Sequence, residues 1–348
     1  MTKTARLTLG AALLTLVAGW LWPSRAHLLP ASTVVSGIVV SDAGTFAAIV
    51  ERLRAGEPYY VAFGQELRRR DYPTDQVFNW RTPLQLVALS QVPWAVSRGV
   101  LTALLVVLFA LTMVHTGARP LLAKLAGALQ LGVLVQLSAQ DSVYFGEVWS
   151  GVFVCLSLLA YLAGKWGFGV GTALAALFVR ELAAIYCVTA ALHALAERRW
   201  REVGAWCVGG AAYATYYAWH FTQVAAHQIP SDFSQGTRGW LAFGGLPFLQ
   251  ATVHNVGWLK FLPGQLDAAL FALIVAGMVH SETPLRLRTA SLAFAAFFLV
   301  VGQPFNAYWG WIVSPLWALT AGYGACALLE LSSGPRMLRR PSTTVPRP

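Results

Sequence analysis

Long apolar runs separated by short polar stretches make up most of the chain. Each run is close to the length of about 20 residues that one helix needs to cross the hydrocarbon core of a bilayer. The runs lie near residues 7–22, 98–115, 120–138, 147–164, 167–196, 203–223, 264–280, 288–303 and 308–330. They predict an all-α, polytopic membrane bundle with about nine or ten transmembrane helices.

The run at residues 167–196 departs from this length. Its 30 residues are too many for one upright helix and too few for two full spans. Arg180 and Glu181 lie near its middle, so we expect a break or kink there. Neighbouring residues on a helix point in different directions, and we therefore expect the two charges not to satisfy each other. A structural ion pair to a neighbouring helix is the alternative to a functional role.

A long polar segment, residues 24–97, separates the first two runs and forms the predicted first outer loop. Apolar residues recur at helical spacing near its start, which predicts an amphipathic surface helix that ends at Gly56. These positions are Phe46, Ile49, Val50 and Leu53. Ser41 and Asp42 precede the helix, where side chains of their type often serve as N-caps.

Composition agrees with a membrane protein. Of the 348 residues, 57% are hydrophobic and only 11% are charged, which is too apolar for a soluble domain of this length. The 4 cysteines lie inside apolar runs, where Cys usually behaves as a small buried hydrophobe. The sequence contains no P-loop, HExxH or paired CxxC motif. We expect no cofactor. No motif indicates a divalent metal ion, although one would be compatible with transfer of a phosphate-linked sugar.

Basic residues set the predicted orientation. Many Lys and Arg residues fall in short loops that share one side if the N-terminus is cytoplasmic. We expect a multi-pass protein of the cell (inner) membrane with cytoplasmic termini, one domain over residues 1–331 and a disordered basic tail over 332–348. A cleaved signal peptide near Ser24-Arg25-Ala26 is the alternative at the N-terminus. The net charge of +10 then indicates contact with anionic membrane lipids rather than with nucleic acid.

Asp42 is the first candidate for chemistry. It lies just outside the first predicted span, at the depth of the headgroup of a lipid-borne substrate. A carboxylate in this position can act as general base towards an acceptor hydroxyl. The alternative is an ordinary residue at a helix start, and the two roles are compatible.

Other candidates lie on outer loops that would face the same side. Asp141 and Glu147 flank Tyr144 in a short loop, where they suit sugar hydroxyls or else cap a helix. Asn306 and Tyr308 lie in an aromatic stretch whose alternative role is an interfacial belt.

Two further candidates, His254 and Lys260, lie on the outer stretch 224–262. Both side chains suit a pyrophosphate or an acceptor, and a solvated loop is the alternative.

One acid with several cations suits transfer of a sugar from a lipid phosphate. Phosphate is a competent leaving group that needs cationic stabilisation more than protonation. Arg180, Arg81 and Lys260 are the cations that we assign to the donor phosphate. A glycosidase would instead require two carboxylates about 5–9 Å apart, a requirement that nothing in the spacing imposes.

The layout of residues 1–330 resembles the GT-C superfamily of integral-membrane glycosyltransferases, in particular its bacterial mannosyltransferases. The motifs that resemble it are Asp42 in the first loop, Tyr72-Pro73, Arg81-Thr82-Pro83, Gly146-Glu147, Arg180, and Asn306-Ala307-Tyr308-Trp309 with Pro315. Glu147 stands where such proteins often carry Gln, which is a departure from the pattern.

The resemblance implies an inverting transfer on the non-cytoplasmic face, with Asp42 as the base. It also implies a polyprenyl-phosphate sugar as donor and a lipid-linked or glycan acceptor. The alternative function is a transporter or flippase for a lipid-linked or amphipathic substrate, with Arg180 and Glu181 on its pathway.

Overall fold

The computed structural model describes residues 33–35, 38–233, 243–256 and 265–333. The predicted first span at 7–22, Lys260 and most of the predicted tail lie outside the described residues. Apart from one short β-hairpin, the regular structure described is helical. The elements are β1 (Thr33–Val35), β2 (Ile38–Val40), α1 (Asp42–Arg54), α2 (Tyr59–Arg69), α3 (Pro83–Ser90), α4 (Trp94–Thr116), α5 (Pro120–Leu137), α6 (Gly146–Leu162), α7 (Trp166–Val179), α8 (Ala184–Ala196), α9 (Trp200–His227), α10 (Gly245–His254), α11 (Gln265–Val279), α12 (Leu285–Val300) and α13 (Ser314–Ser333).

Shorter 3-10 segments join several of these helices. They are Val77–Asn79, Gln140–Tyr144, Glu181–Ala183, Pro230–Phe233 and Pro304–Ile312. In the hairpin, β1 pairs antiparallel with β2, with Thr33 opposite Val40. The strands depart from the all-α expectation, but they involve only three residues each.

The predicted amphipathic helix of the first loop is confirmed as α1. Ser41 is its N-cap, and the Ser41 hydroxyl accepts a hydrogen bond from the Gly44 amide at 3.1 Å. The apolar face is buried, with Ile49 and Val50 fully inaccessible. Arg54 at the other end donates to the carbonyl oxygens of Leu89 and Val92, which fixes α1 to the end of α3.

Two described helices, α4 and α5, are long and apolar enough to cross a membrane. A third span results if residues 306–312 and 314–331 are counted together, although they are bent by 67° at their junction. Other apolar helices, including α6, α7 and most of α11, have only 10–17 residues. Helix length and composition therefore identify two or three spans among the described residues, fewer than the sequence predicts.

The predicted break in the run 167–196 is confirmed. α7 ends at Val179, and Arg180 has an extended backbone with φ −149° and ψ 119°. A 3-10 turn then leads into α8. Because Arg180 is not helical, its guanidinium reaches back to the carboxylate of Glu181. The expectation that these neighbours could not satisfy each other was wrong, because it applied the side-chain directions of a helix to two residues at the break.

Charged side chains gather at both ends of α6. Glu147 in its first turn contacts Arg180, whereas Tyr161 near its other end lies under the guanidinium of Arg286. The rise between Glu147 and Tyr161 is about 21 Å at the usual 1.5 Å per residue. Between these ends, Ser157 is fully buried and donates to the carbonyl of Gly169 on α7 at 2.6 Å.

Glycines allow α11 and α13 to pack backbone against backbone. A Cβ added at Gly324 would overlap the carbonyl oxygen of Leu273, and one at Gly277 would overlap the carbonyl oxygen of Thr320. Such close approach of small residues is a common basis of helix association in membranes.

We expect Gly324→Ala to lower the free energy of unfolding by roughly 1–3 kcal/mol, because the backbone of α11 must move to admit a methyl group. Gly210→Ala on α9 is the matched control, since a Cβ there meets no atom within 4 Å. It should be neutral or stabilising, because Ala favours helix over Gly. Thermal unfolding in detergent would measure both, and equal melting temperatures would contradict the close packing.

Candidate functional site

Five of the residues predicted for the site form one connected network at one end of α6. They are Asp42, Arg81, Glu147, Arg180 and Tyr308. They come from α1, the loop before α3, α6, the helix break and the 3-10 segment Pro304–Ile312. The fold thus brings together residues as far apart in the chain as Asp42 and Tyr308, which are separated by 266 positions.

Glu147 is the centre of the network. Its Oε1 accepts a hydrogen bond from Arg180 Nε at 2.7 Å and lies 3.2 Å from Arg81 Nη1. The side chains of Glu147 and Arg180 are 0% and 1% exposed, whereas Arg81 retains 15%. One buried carboxylate therefore pairs with two guanidinium groups, of which Arg81 is the more accessible.

Arg81 connects Glu147 to the aromatic part of the site. Its Nη2 donates to the Tyr308 hydroxyl at 2.9 Å. The Tyr59 hydroxyl donates to the Arg81 carbonyl oxygen at 2.7 Å, which fixes the backbone of the loop. The guanidinium carbon also lies 5.4 Å from the centre of the Phe46 ring, within the range of a cation–π contact.

Asp42 lies at the accessible edge of the network. Its Oδ1 accepts a hydrogen bond from the Tyr72 hydroxyl at 2.5 Å. The Tyr308 hydroxyl also interacts with the Asp42 carboxylate, which links Asp42 to Arg81. Burial, and then the nearby Asp42 carboxylate, raise the pKa of the Tyr72 hydroxyl, so Tyr72 stays protonated at neutral pH and donates.

Phe145 forms the apolar wall beside these polar groups. Its ring makes edge-on contacts with Phe46, Tyr308 and Trp311, at centroid distances of 5.9, 5.5 and 4.7 Å. Trp309 is fully buried, with Phe248 and Phe297 among the rings it contacts. The alternative role of an interfacial belt is therefore wrong for Trp309, because its ring packs inside the protein.

Together with Glu181, the network has more carboxylates than guanidinium groups. Asp42, Glu147 and Glu181 supply carboxylates, and Arg81 and Arg180 supply guanidinium groups. An anion such as phosphate would therefore not enter a preformed cationic patch. It would have to compete with a carboxylate for a guanidinium.

The other predicted site residues are placed differently. Asp141 is exposed, in the 3-10 segment that also holds Tyr144. His254 ends α10, and its Nδ1 lies 2.9 Å from a carboxylate oxygen of Asp267. Asn306 is buried in the same segment as Tyr308. No recorded contact joins these three residues to Glu147 among the described parts of the chain, and their roles stay predictions.

Sequence reasoning did not assign Tyr59 or Tyr72 to the site. The Tyr72-Pro73 motif was a usable signal, because it lies in the same loop as Arg81. Tyr59 carries no such signal, since its hydroxyl reaches a backbone carbonyl that any residue at position 81 would supply.

A separate ion pair fixes the first loop to the end of α9. Arg68 on α2 donates through Nε and Nη2 to the two carboxylate oxygens of Asp232, at 2.8 and 2.6 Å. Arg68 Nη2 also donates to the carbonyl of His227, the last residue of α9. The hydrogen bond from Arg68 holds the pKa of Asp232 down at about 2.

We expect this pair to stabilise the fold above the ordinary Asp pKa, and the stabilisation to be lost as pH falls through about 2. The melting temperature of wild type should therefore exceed that of Asp232→Asn by a constant amount above about pH 5. The difference should shrink as pH falls below the ordinary Asp pKa and be lost below about pH 2. Asp141→Asn, at an exposed position, is the control, and a pH-independent Asp232→Asn difference would rule out the ionic contribution.

Within the described part of the chain, no group of three His, Cys, Asp or Glu side chains is placed to hold a metal ion. No family model matches the sequence, and no curated protein or solved structure matches it either.

Proposed function

We propose that the chain is a polytopic membrane glycosyltransferase that transfers a sugar from a polyprenyl-phosphate donor to a lipid-linked or glycan acceptor. The observation that carries this proposal is the convergence of Asp42, Arg81 and Tyr308 with the buried Glu147–Arg180 pair. A partly exposed acid thus lies beside a cation and aromatic hydroxyls at one end of a helical bundle.

The distribution of charge supports placement in a membrane. Charged side chains lie near both ends of α6, about 21 Å apart along the helix, which is less than the hydrocarbon core of about 30 Å. Basic residues that the sequence assigns to the cytoplasm, among them Arg199 and Arg286, meet at the end opposite Asp42. Short helices such as α7 and α11 would span within this bundle, with the site on the outer face of the cell (inner) membrane.

In the proposed reaction Asp42 is the general base. Its carboxylate is oriented by the Tyr72 hydroxyl through Oδ1 and also contacts the Tyr308 hydroxyl, and the hydroxyl of the acceptor would donate to it in the reaction. The acceptor oxygen attacks the anomeric carbon, its proton passes to Asp42, and the sugar–phosphate bond breaks. The lipid phosphate leaves with the bonding electrons from the face opposite the attack, so the configuration at the sugar inverts.

Arg81 is the proposed first contact for the donor phosphate. It is more exposed than Arg180, and its Nη2 is held by Tyr308 rather than by a carboxylate. Phosphate would displace Glu147 from Arg81, while the 2.7 Å hydrogen bond from Arg180 keeps Glu147 neutralised. Arg180 thus acts by remaining paired with Glu147. Contact between Lys260 and the donor stays a prediction.

The remaining polar groups are proposed for the sugar and the acceptor. Tyr308 lies between Asp42 and Arg81, where the sugar must sit if its phosphate is at Arg81. Asn306 lies in the same segment, and Asp141 and His254 would contact more distant parts of the acceptor. Anionic membrane lipids are the further proposed partners.

Transport of a lipid-linked or amphipathic substrate is the second candidate. The observation that favours it is the buried ion pair of Arg180 with Glu147 and Glu181 at a helix break, a common feature of transport pathways. Transport would depend on exchange of partners around Arg180, whereas transfer depends on Asp42.

Purified protein in nanodiscs, given a panel of radiolabelled polyprenyl-phosphate sugars and a crude extract of lipid and glycan acceptors, tests the proposal. Transfer of label into an acceptor supports it. Absence of transfer across the panel, together with label flux across liposomes that depends on Arg180, would favour transport instead.

A further inference from the structure

Two helix-to-helix turns at the end opposite Asp42 have the same backbone geometry. In the turn between α6 and α7, the Lys165 and Gly164 amides donate to the carbonyls of Ala160 and Tyr161. Between α8 and α9, the Arg199 and Arg198 amides donate to the corresponding carbonyls of Ala194 and Leu195. Both are Schellman motifs. In each, a basic residue and then a Trp, Trp166 or Trp200, begin the next helix.

The two turns differ at the position that favours glycine. Gly164 has φ +74°, as expected at this place in a Schellman motif, whereas Arg198 has φ +56°. An L side chain in this conformation costs free energy that glycine would avoid. The second turn thus carries an arginine at the expense of local stability.

Buried side chains hold the two turns next to each other. Tyr161, three residues before Gly164, interacts with Glu202 at the start of α9. Arg286 lies over the Tyr161 ring with its guanidinium carbon 4.3 Å from the ring centre, and it also pairs with Glu197. Arg199 and Arg286 each pair with both acidic side chains of the region, Glu197 and Glu202.

The remaining cations of the two turns point outward. Lys165, Arg198 and Arg201 are exposed, and none of them forms a salt bridge within the described ranges. Trp166 and Trp200 beside them are 38% and 66% exposed. Basic side chains next to exposed tryptophans are typical of the level at which a membrane surface meets water.

We propose that the paired turns, residues 163–167 and 197–201, bind the phosphate headgroup of an anionic phospholipid in the cytoplasmic leaflet. Lys165, Arg198 and Arg201 contact the phosphate, and Trp166 and Trp200 rest at the glycerol level. The inference rests on the proposed membrane placement but not on the proposed transfer reaction.

The decisive variant is Arg198→Gly. It removes one cation and also relieves the left-handed backbone, so its melting temperature in neutral detergent should equal or exceed that of wild type. Its apparent dissociation constant for phosphatidylglycerol should nevertheless rise about fivefold, the usual weight of one basic residue at an anionic surface. If Arg198 had only a structural role, the substitution would not weaken lipid binding while leaving the melting temperature unchanged or higher.

Native mass spectrometry of the full chain in neutral detergent, titrated with phosphatidylglycerol or phosphatidylcholine, measures the binding. Arg198→Lys should retain affinity. Lys165→Gln should lose about as much affinity as Arg198→Gly, although it leaves the strained residue unchanged. Arg69→Gln, an exposed cation of the first outer loop, is the control and should bind as wild type. Glycerol 3-phosphate should not compete, because it lacks the acyl chains.

Equal affinity of wild type and Lys165→Gln for phosphatidylglycerol would overturn the proposal, as would equal binding of phosphatidylcholine. Competition by glycerol 3-phosphate would show that the turns bind a soluble phosphate compound rather than a lipid. A loss of lipid binding leaves sugar transfer measurable in neutral lipid, so the two proposals fail separately.

Discussion

Replacement of Asp42 by Asn is expected to lower the rate of sugar transfer by roughly 10²- to 10⁴-fold, the usual weight of a general base. Asn keeps the volume of the side chain and can still accept the hydrogen bond that Tyr72 donates to Oδ1. It cannot take a proton from the acceptor hydroxyl. Asn is also well tolerated at the start of a helix, so α1 should remain folded.

Initial rates with saturating donor and acceptor would measure this effect, with Asp75→Asn as the matched control. Asp75 is a partly exposed acid of the same loop with no assigned role in the reaction, and its substitution should leave the rate within about twofold of wild type. The melting temperatures of both variants should remain close to that of wild type. A folded Asp42→Asn protein with an unchanged rate would remove Asp42 from the mechanism.

Replacement of Glu147 by Gln is expected to have the largest effect on stability. Glu147 is fully buried and pairs with both Arg81 and Arg180. Gln preserves the shape but leaves two guanidinium groups in a buried site, one of them with only Glu181 as counter-ion. Breaking a buried ion pair on one side costs about 3–5 kcal/mol, and we expect a loss of this size.

Glu181→Gln is the control for this prediction. Glu181 also pairs with Arg180, but its side chain is 17% exposed and Glu147 remains to neutralise the guanidinium. We expect a loss of no more than about 1 kcal/mol, as for a partly exposed pair. Unfolding by denaturant in detergent micelles measures both variants. Equal losses would show that Glu147 is not the centre of the network.

The sequence predicted the elements whose signals are local. Apolar periodicity located α1 and its buried face, and the length of the run 167–196 indicated the break at Arg180. Apolar runs located α4 and α5 within a few residues of their observed ends. The number of membrane spans is less well determined, because several apolar runs form helices shorter than about 20 residues.

Individual residues of the site could be predicted from the sequence, but the ion pairs between them could not. Charges in apolar surroundings singled out Arg180, and Glu147 stood out at the mouth of a predicted span. The pairing of one carboxylate with both Arg180 and Arg81 depends on the packing of α6 against the break. The pair of His254 with Asp267 was missed for the same reason.

Backbone conformation was the least accessible to sequence reasoning. No pattern indicates that Arg198 adopts a positive φ, because this conformation usually requires glycine. The likeness of the two turns is therefore visible only in the backbone, since their side chains match at just the basic residue and the Trp.

Photo-crosslinking with a diazirine-bearing polyprenyl phosphate tests most directly whether the network around Glu147 is the donor site. With wild-type protein in nanodiscs, label should concentrate on residues 72–82 and 304–312, and unlabelled polyprenyl phosphate should compete it away. Arg81→Gln should reduce the competed label while leaving the protein folded. Competed label at the opposite end, on residues 163–167 and 197–201, or label that no competitor removes, would contradict the proposed site.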